Sequence, residues 1–321
     1  MSAPIIRRFQ EGDETGLQRL LDRCFGRFET WTADRVAELT VVRGSDTSEL
    51  WVALDGSRRI GCVGVFGVPQ AGSYVIRELA VDTEPQEPVA GHLLDVALEH
   101  LKGLDPSLIR GSTLNVAPYP EAYRQKGFTA VRRALTLAWD LTAPLPAPAR
   151  EDSVVVGEAL RHAPDHLAEL YVEGMRPHWD WFIDERGGTE AYKERVAAHI
   201  AELADDGSDE MWLAAEIEGA AVGLAFVTQL DEAEADMGGV YVLPAYRNQG
   251  VGSALMRATL SGLRERAKKR LVVPETISSL DSDLPSIRLY KQSGARVRAE
   301  YLHLQLDMAA PSQQEVSSRS T

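Results

Sequence analysis

Cysteine is scarce in this sequence. The 321 residues include only Cys24 and Cys62, both in apolar surroundings. Disulfide-stabilised folds and structural zinc sites use cysteines in larger or closely spaced sets, and the motifs CxxC and HExxH are also absent. We therefore predict no metal site, and we expect the two cysteines to be small core residues in a protein from a reducing compartment.

Long apolar runs and a positive charge balance are also lacking. No apolar run approaches the ~20 residues of a membrane-spanning helix, and residues 1–15 lack the apolar segment of a secretory signal. The formal net charge of −14 disfavours nucleic acid as a partner and favours cationic molecules. We predict a cytoplasmic protein, monomeric or homodimeric, that binds neither membrane nor nucleic acid.

Proline and alanine alternate in the middle of the chain, in the segment LTAPLPAPARED at residues 141–152. Proline ends helices and is excluded from central strands, so this segment predicts a linker. We place a first domain at residues 1–142, the linker at 143–152 and a second domain at 153–308. The small polar residues 309–321 predict a disordered tail.

The two halves predict the same order of elements. Each begins with a strand and two helices, continues through a hairpin, a strand and a long helix, and ends with a strand, a short helix and further strands. Val81 aligns with Val242 at an offset of 161 residues, and Tyr123 aligns with Tyr290 at an offset of 167. We interpret this as an internal duplication. The alternative is that any two α+β domains share such an order.

The segment YRNQGVGSAL at residues 246–255 places Gly250 and Gly252 where a strand turns into a helix. The first N–H groups of a helix have no intrahelical acceptor, so an anion such as pyrophosphate can bind them. Arg247 and Gln249 add donors at the rim. No lysine follows the second glycine, which excludes a P-loop, and Leu255 stands where a dinucleotide fingerprint needs a third glycine. The alternative is a plain tight turn.

The wider context, VYVLPAYRNQGVGSAL followed by LYKQSGA at residues 289–295, resembles the GNAT superfamily of acyl-CoA-dependent N-acyltransferases. Its signature R/Q-x-x-G-x-G/A matches residues 247–252, and its later Tyr-x-x-x-Gly element matches residues 290–295. The first half carries the later element as YRQKGF at residues 123–128. The resemblance covers nearly all of residues 1–308 as two copies.

The resemblance implies an α+β (α/β) fold of two tandem GNAT-like domains, each a mixed, splayed β-sheet flanked by helices. It implies that acetyl-CoA is the acyl donor, with its pantetheine arm in the splay and its pyrophosphate on the helix amides. It implies direct attack of an amine on the thioester, without a metal. The implied contacts with acetyl-CoA are Val240, Tyr241, Val242, Arg247, Asn248, Gln249, Gly250, Val251, Gly252 and Ser253.

The resemblance also points to acid and base groups. Tyr290 matches the position of a tyrosine near the sulfur in many members, and we expect it to protonate the leaving thiolate; its alternative role is packing. The family often places a basic carboxylate on the fourth strand, where this chain has two glycines, so Glu234 or Asp236 just upstream is the candidate base. Asp283 stands where an asparagine often contacts CoA, which puts that contact in doubt.

The acceptor site is expected in the segment MRPHWDWFIDERGG at residues 175–188. Aromatic side chains offer faces to a cation and carboxylates offer charge. The candidate acceptor-binding residues there are His178, Trp179, Asp180 and Trp181, with His178 also a possible base. An interface between the two halves is the alternative role of this segment.

The first half departs from the family pattern at the anion loop. Glu84, Pro85, Glu87 and Pro88 stand there, with a single glycine, Gly91. Prolines remove N–H donors and glutamates repel a pyrophosphate. We predict a degenerate first copy that serves as scaffold and as one wall of the acceptor site, to which it contributes Glu78. The alternative is that YRQKGF marks a surviving second site.

We therefore predict an N-acetyltransferase that transfers acetyl from acetyl-CoA to a primary amine of a small, cationic molecule. Three alternatives stay open: a mycothiol synthase-like enzyme, a protein N-acetyltransferase, and a CoA-sensing or protein-binding module without catalysis.

Overall fold

The computed structural model describes residues 4–28, 31–41, 48–68, 72–146, 154–176, 178–184, 187–206, 210–230 and 232–306. The predicted tail at 309–321 and residues 147–152 of the predicted linker lie outside the described residues.

The first half forms six strands and four helices over the described residues. These are β1 (Ile5–Arg8), α1 (Glu14–Phe25), α2 (Ala33–Val41), β2 (Glu49–Asp55), β3 (Arg58–Val68), β4 (Ser73–Val81), α3 (Gln86–Lys102), β5 (Leu108–Leu114), α4 (Tyr119–Gln125) and β6 (Phe128–Asp140).

The second half forms six strands and five helices over the described residues. These are β7 (Val155–Glu158), α5 (Pro164–Met175), α6 (Asp180–Asp184), α7 (Gly188–Asp206), β8 (Met211–Ile217), β9 (Ala220–Leu230), β10 (Glu234–Val242), α8 (Val251–Glu265), β11 (Arg270–Ser278), α9 (Pro285–Gln292) and β12 (Arg296–Leu306). The predicted order of elements is thus present in both halves.

Local sequence signals account for several boundaries. The N–H of Arg35 donates to the side-chain oxygen of Thr32 at 3.2 Å, so the predicted N-cap of α2 is confirmed. The hairpin of β8 and β9 turns at Glu218 and Gly219, which both have positive φ, as a tight hairpin turn requires.

The chain divides into two compact units. Unit 1 comprises Met1–Ala134 with Ala299–Thr321, and unit 2 comprises Leu135–Arg298. The last strand of each half, β6 or β12, is therefore divided between the units. Unit 1 contains the end of β12 and unit 2 contains the end of β6.

Both units contain a mixed sheet that opens between two parallel strands. In unit 1 the strand order is β1-β2-β3-β4-β5, followed by β12 and β6. In unit 2 it is β6-β11-β10-β9-β8-β7. The parallel pair β4–β5 is joined over Ser73–Ile76, and the parallel pair β10–β11 over Glu234–Asp236. These mixed, splayed sheets confirm the predicted fold class.

Helices cover both faces of the unit 2 sheet. One apolar cluster joins α8 and α9 to strands β8–β11, and a second joins α5 and α7 to β8 and β9. Among its members are Leu255, Leu260 and Ile287 in the first cluster, and Leu167 and Ile200 in the second. Burial of these side chains holds α5, α8 and α9 around the open edge of β10.

Candidate functional site

The open edge of β10 is the starting point of the site. The parallel pairing with β11 stops after Glu234–Asp236, whereas β10 stays paired with β9 as far as Val242. Hydrogen-bonded positions alternate along an antiparallel pair, so Val240 and Val242 turn their backbone groups toward the opening. The N–H of Val240 accordingly donates to the hydroxyl of Tyr290 at 3.2 Å.

Tyr241, the third predicted strand contact, has its backbone turned toward β9 by the same alternation. Its ring lies 4.5 Å from that of Tyr171, centroid to centroid, and its hydroxyl donates to the carbonyl of Gly238 at 2.9 Å. Tyr241 therefore lines the cavity, and its backbone, which faces β9, does not make the strand-like contact with the cofactor that was expected.

The loop between β10 and α8 has the backbone that an anion site needs. Gly250 is the N-cap of α8 and has a φ of +88°, a left-handed conformation that glycine adopts without strain. The first intrahelical bond runs from the N–H of Ala254 to the carbonyl of Gly250. The N–H groups of Val251, Gly252 and Ser253 therefore precede the hydrogen-bonded ladder, and the first turn of α8 contains no acidic residue.

Gly252 is required by a close approach. A Cβ at this position would lie 3.0 Å from the Leu289 side chain, and Val240 is at 3.9 Å. The start of α8 is thus packed against α9 and the open strand, which places its free N–H groups beside the splay.

A cavity of about 460 Å³ joins these features in unit 2. It is lined by the loop and helix start, the open strand, the start of α9 and the end of α5. Its lining residues are Gly174, Met175, His178, Trp179, Val240, Tyr241, Val242, Tyr246, Arg247, Asn248, Gly250, Gly252, Ser253, Leu284, Pro285, Ser286, Arg288, Leu289 and Gln292.

Helix α9 supplies a wall that the sequence reasoning missed. Arg288 and Gln292 line the cavity one helical turn apart, and Pro285 and Ser286 line it at the start of the helix. The spacing of Arg288 and Gln292 puts them on one face, a signal that the sequence contained. Arg288 therefore adds a second cationic side chain to the cavity lining, besides Arg247, for which the sequence predicted a phosphate contact.

Arg247 lines the cavity, but its guanidinium is engaged with the backbone. It donates to the carbonyls of Val242 at 3.1 Å, Gly174 at 3.1 Å and Arg176 at 2.6 Å. Burial lowers the pKa of this guanidinium. Arg247 fastens the end of α5 to the end of β10 while lining the cavity, and its contact with a pyrophosphate stays a prediction.

Two other predicted cofactor contacts also point elsewhere. The amide of Gln249 donates to the carbonyl of Ala245 at 2.8 Å, and Gln249 does not line the cavity. Asp283 pairs with Lys291 at 2.7 Å and accepts a bond from Arg288 through its carbonyl. The structure gives Asp283 a role in stabilising the start and end of α9 and does not place it on the cavity surface.

Tyr290, the predicted acid, is buried below the splay. Its ring packs edge-on against Trp139 with centroids 5.5 Å apart. Burial raises the pKa of its hydroxyl to about 12, and the bond from the Val240 N–H opposes that rise. The hydroxyl is therefore protonated at neutral pH, as an acid must be, while still reaching the open edge of β10.

The predicted bases Glu234 and Asp236 lie at the closed end of the splay. Glu234 pairs with Arg270 at 2.9 Å and with Arg298 at 3.5 Å, and neither carboxylate lines the cavity. We therefore do not retain either as a base. A side chain at position 238 is excluded by packing, because a Cβ at Gly238 would lie 2.0 Å from the Phe226 ring.

The segment between α5 and α6 brings His178 and Trp179 to the cavity, as expected of acceptor residues. The pKa of His178 is lowered by partial burial and by the charge of Arg247, against the opposing charge of Asp180. His178 is therefore neutral at pH 7 and is able to accept a proton.

Of the other two predicted acceptor residues, Asp180 does not line the cavity and the side chain of Trp181 is not described. Asp180 pairs with Arg176 at 3.5 Å, and its Oδ1 atom has no hydrogen-bond partner among the described residues. The backbone of Trp181 belongs to α6, but its side chain lies outside the described residues.

In unit 1 the corresponding strand edge is closed by the chain's own side chains. The N–H of Val81 donates to the Tyr119 hydroxyl at 3.3 Å, and its carbonyl accepts from the Gln86 amide at 3.0 Å. Glu78 has a φ of +57° at the bulge of β4 and pairs with Arg77 at 3.4 Å. Unit 1 thus keeps a carboxylate at its bulge, and side chains bond its strand edge as Tyr290 and Arg247 bond that of β10.

Among the described residues, no cluster of three or more His, Cys, Asp or Glu side chains is arranged to hold a metal ion. The helices of this part of the chain are also too short or too polar to cross a membrane. Cys24 and Cys62 are both free, and burial raises the pKa of each thiol.

Comparison with protein-family models assigns one part of the chain. Residues 175–295 match the acetyltransferase (GNAT) family. This region contains the loop, the open strand and all the cavity residues except Gly174, so the resemblance predicted from the signature is confirmed. No curated protein matches the chain.

Solved structures match the whole chain in fold. A GCN5-related N-acetyltransferase from Sphaerobacter thermophilus has a TM-score of 0.71 at 19% identity, with 94% of this chain and 95% of that chain covered. A tandem GNAT protein from the clavulanic acid biosynthesis pathway has a TM-score of 0.61 at 17% identity, with 96% and 99% covered.

A third similar structure is the GCN5-related glucosamine N-acetyltransferase region of a fungal multi-domain GH3 β-N-acetylglucosaminidase. Its TM-score is 0.66 at 16% identity, with 95% of this chain and 38% of that chain covered. At these identities the similarity is one of fold, and it extends over nearly the full length of this chain.

Proposed function

With residues 175–295 belonging to the acetyltransferase (GNAT) family, we propose that this chain transfers an acetyl group from acetyl-CoA to a primary amine of a small cationic molecule, using the cavity in unit 2. The observation that carries this proposal is one cavity that joins the free N–H groups of α8 to the open edge of β10. The buried hydroxyl of Tyr290 is bonded to that edge through the N–H of Val240.

The residues of the cavity fit an acyl-CoA. The N–H groups of Val251, Gly252 and Ser253 hold the pyrophosphate, and Arg288, which also lines the cavity, adds positive charge. The carbonyl of Val240 and the N–H of Val242 pair with the pantetheine amides, because the Val240 N–H and the Val242 carbonyl are already bonded to Tyr290 and Arg247. Acetyl-CoA supplies an activated thioester, and no further cofactor enters the proposal.

Two side chains handle protons. His178, neutral because of its lowered pKa, accepts the proton that the amine loses, directly or through water. Tyr290, protonated because of its raised pKa, donates a proton toward the thiolate that leaves. The Val240 N–H bond orients the Tyr290 hydroxyl at the strand edge. Direct attack by the amine requires no covalent enzyme intermediate.

The cationic acceptor is supported by aromatic and charge features. Trp179 lines the cavity and Tyr241 stands against Tyr171 beside it. Aromatic faces attract ammonium groups, and the net charge of −14 attracts cations at long range.

The test is release of the CoA thiol by the wild-type protein on a panel of diamines, amino sugars and neutral or acidic amines. We expect turnover with cationic amines at least tenfold above that with acidic amines. Equal turnover across the panel would contradict the acceptor class. Binding of acetyl-CoA with no turnover on any amine or on a lysine-bearing peptide would contradict catalysis and leave a CoA-binding module.

A further inference from the structure

A second cluster of polar groups lies in unit 1, on one face of the sheet formed by β5 and the end of β12. His303 is the register partner of Ser112, and Tyr301 is the partner of Leu114. Because side chains alternate along a strand, Tyr301 and His303 share one face, and Arg110 shares it with Ser112. Four polar side chains are thus grouped on neighbouring strands.

Two of these side chains hold polar atoms without partners. Tyr301 is only 8% exposed, and its hydroxyl makes no hydrogen bond with any described residue. The Nε2 atom of His303 is likewise buried and without a partner in the described part of the chain. Buried polar atoms are rarely left without a hydrogen-bond partner, so two of them on one face of the same strand mark a place where a polar ligand gains hydrogen bonds.

The charges that act on this cluster are positive. Burial lowers the pKa of His303 to about 4, and the charges of Arg132 and Arg110, both half-buried, contribute to that lowering. His303 is therefore neutral, and its ring is able to offer an N–H. Both arginines make further interactions, but a guanidinium has five N–H donors and accommodates several partners.

We propose that this face of unit 1 binds an oxyanion, the phosphate or carboxylate group of a small molecule. Arg110 and Arg132 supply its charge partners. The Nε2 atom of His303 and the hydroxyls of Tyr301 and Ser112 supply its hydrogen-bond donors. The donor set fits an oxyanion because all five groups donate and two carry positive charge. The inference concerns unit 1 alone and does not depend on acyl transfer by unit 2.

The test is a calorimetric titration of inorganic phosphate, and separately of acetate, into the full-length wild type and into Arg132→Gln. We expect phosphate or acetate to bind, and Arg132→Gln to weaken that binding by about tenfold, the loss of one charge-assisted contact. Tighter binding of phosphate identifies a phosphorylated ligand, and tighter binding of acetate identifies a carboxylate.

Arg133→Gln is the matched control, because the neighbouring residue in the strand points to the opposite face. We expect it to change affinity by less than about twofold. The ring nitrogen signals of His303, assigned with His303→Gln, should shift on titration. Absence of binding, or binding that Arg132→Gln leaves unchanged, would overturn the proposal. Phosphate that binds at the start of α8 instead would give binding that Arg132→Gln leaves unchanged.

Discussion

The helix that follows the splayed strand begins differently in the two halves of the molecule. At the offset of 161 residues that aligns Val81 with Val242, α8 begins at Val251, whereas α3 begins at Gln86, four residues earlier than the equivalent position. The N–H groups equivalent to those of Val251, Gly252 and Ser253 therefore lie inside α3, where the previous turn accepts their hydrogen bonds. One extra helical turn fills the anion site of the first half.

The same offset pairs Gln86 with Arg247. Gln86 bonds the carbonyl of Val81 at 3.0 Å, and Arg247 bonds the carbonyl of Val242 at 3.1 Å. Two chemically different side chains thus perform one structural task, closing the end of the strand. The side chain that bonds the end of the strand is present in both halves, whereas the free N–H groups of the helix start are present in one, so the two halves share the fold and differ in the candidate site.

The largest difference between the two halves is expected for their buried tyrosines, Tyr290 and Tyr123. Tyr290→Phe should lower kcat by about 100-fold, because the hydroxyl at the open edge is lost as an acid. Tyr123 donates to the carbonyl of Ile76 at 3.1 Å in the closed unit, so Tyr123→Phe should leave kcat within about twofold and cost about 1 kcal/mol of stability. Steady-state kinetics and denaturant unfolding measure the two effects. Equal losses of kcat would mean that both tyrosines act through folding.

His178 provides the next largest effect. A base must be neutral to act, and the pKa of His178 is lowered from 6.5, so kcat/KM should be level above pH 6.5 and fall below it. His178→Gln should lower the plateau by about tenfold or more and remove this acidic limb. A pH profile of the wild type and the variant tests both points. An acidic limb that persists in the variant would assign the proton to another group.

Substitution of Arg247 or Gln86, which bond the ends of the two strands, should give a smaller effect, on the free energy of unfolding. Arg247→Gln keeps a side chain of the type found in the first half, but loses the bonds to Gly174 and Arg176. We expect a cost of about 2 kcal/mol, against about 1 kcal/mol for Gln86→Ala, as measured by urea unfolding. Affinity for acetyl-CoA should change by less than about threefold. A loss of 100-fold would restore Arg247 as a phosphate ligand.

Glu234 should give the smallest effect. Its carboxylate pairs with Arg270 and Arg298 at the closed end of the splay, so Glu234→Gln should change kcat by less than about twofold at any pH. A pH-dependent loss of kcat would return Glu234 to the role of base.

The elements that could be predicted from sequence are those with local causes. The Thr32 cap, the Glu218-Gly219 turn and the glycine-rich start of α8 each depend on a few consecutive residues, and each is found in the structure. The roles that could not be predicted depend on distant backbone. Arg247 binds carbonyls more than 70 residues away, at Gly174 and Arg176.

The loss of the anion loop in the first half was predicted from its prolines and glutamates, and these residues are only part of the physical cause. Pro85, Glu87 and Pro88 do remove donors and add negative charge at the start of α3. The sequence did not reveal that α3 starts a turn earlier, because helix boundaries depend on packing as well as on composition. The separate roles of the two halves stay a prediction.

The most direct test of the central claim is a calorimetric count of acetyl-CoA sites in the wild type, in Gly252→Glu and in Gly91→Glu. Gly91 is the equivalent of Gly252 at the offset of 161, and a Cβ there meets nothing within 4 Å. We predict one site per chain, lost in Gly252→Glu and unchanged in Gly91→Glu. Two sites in the wild type, or a site that survives Gly252→Glu, would contradict the account.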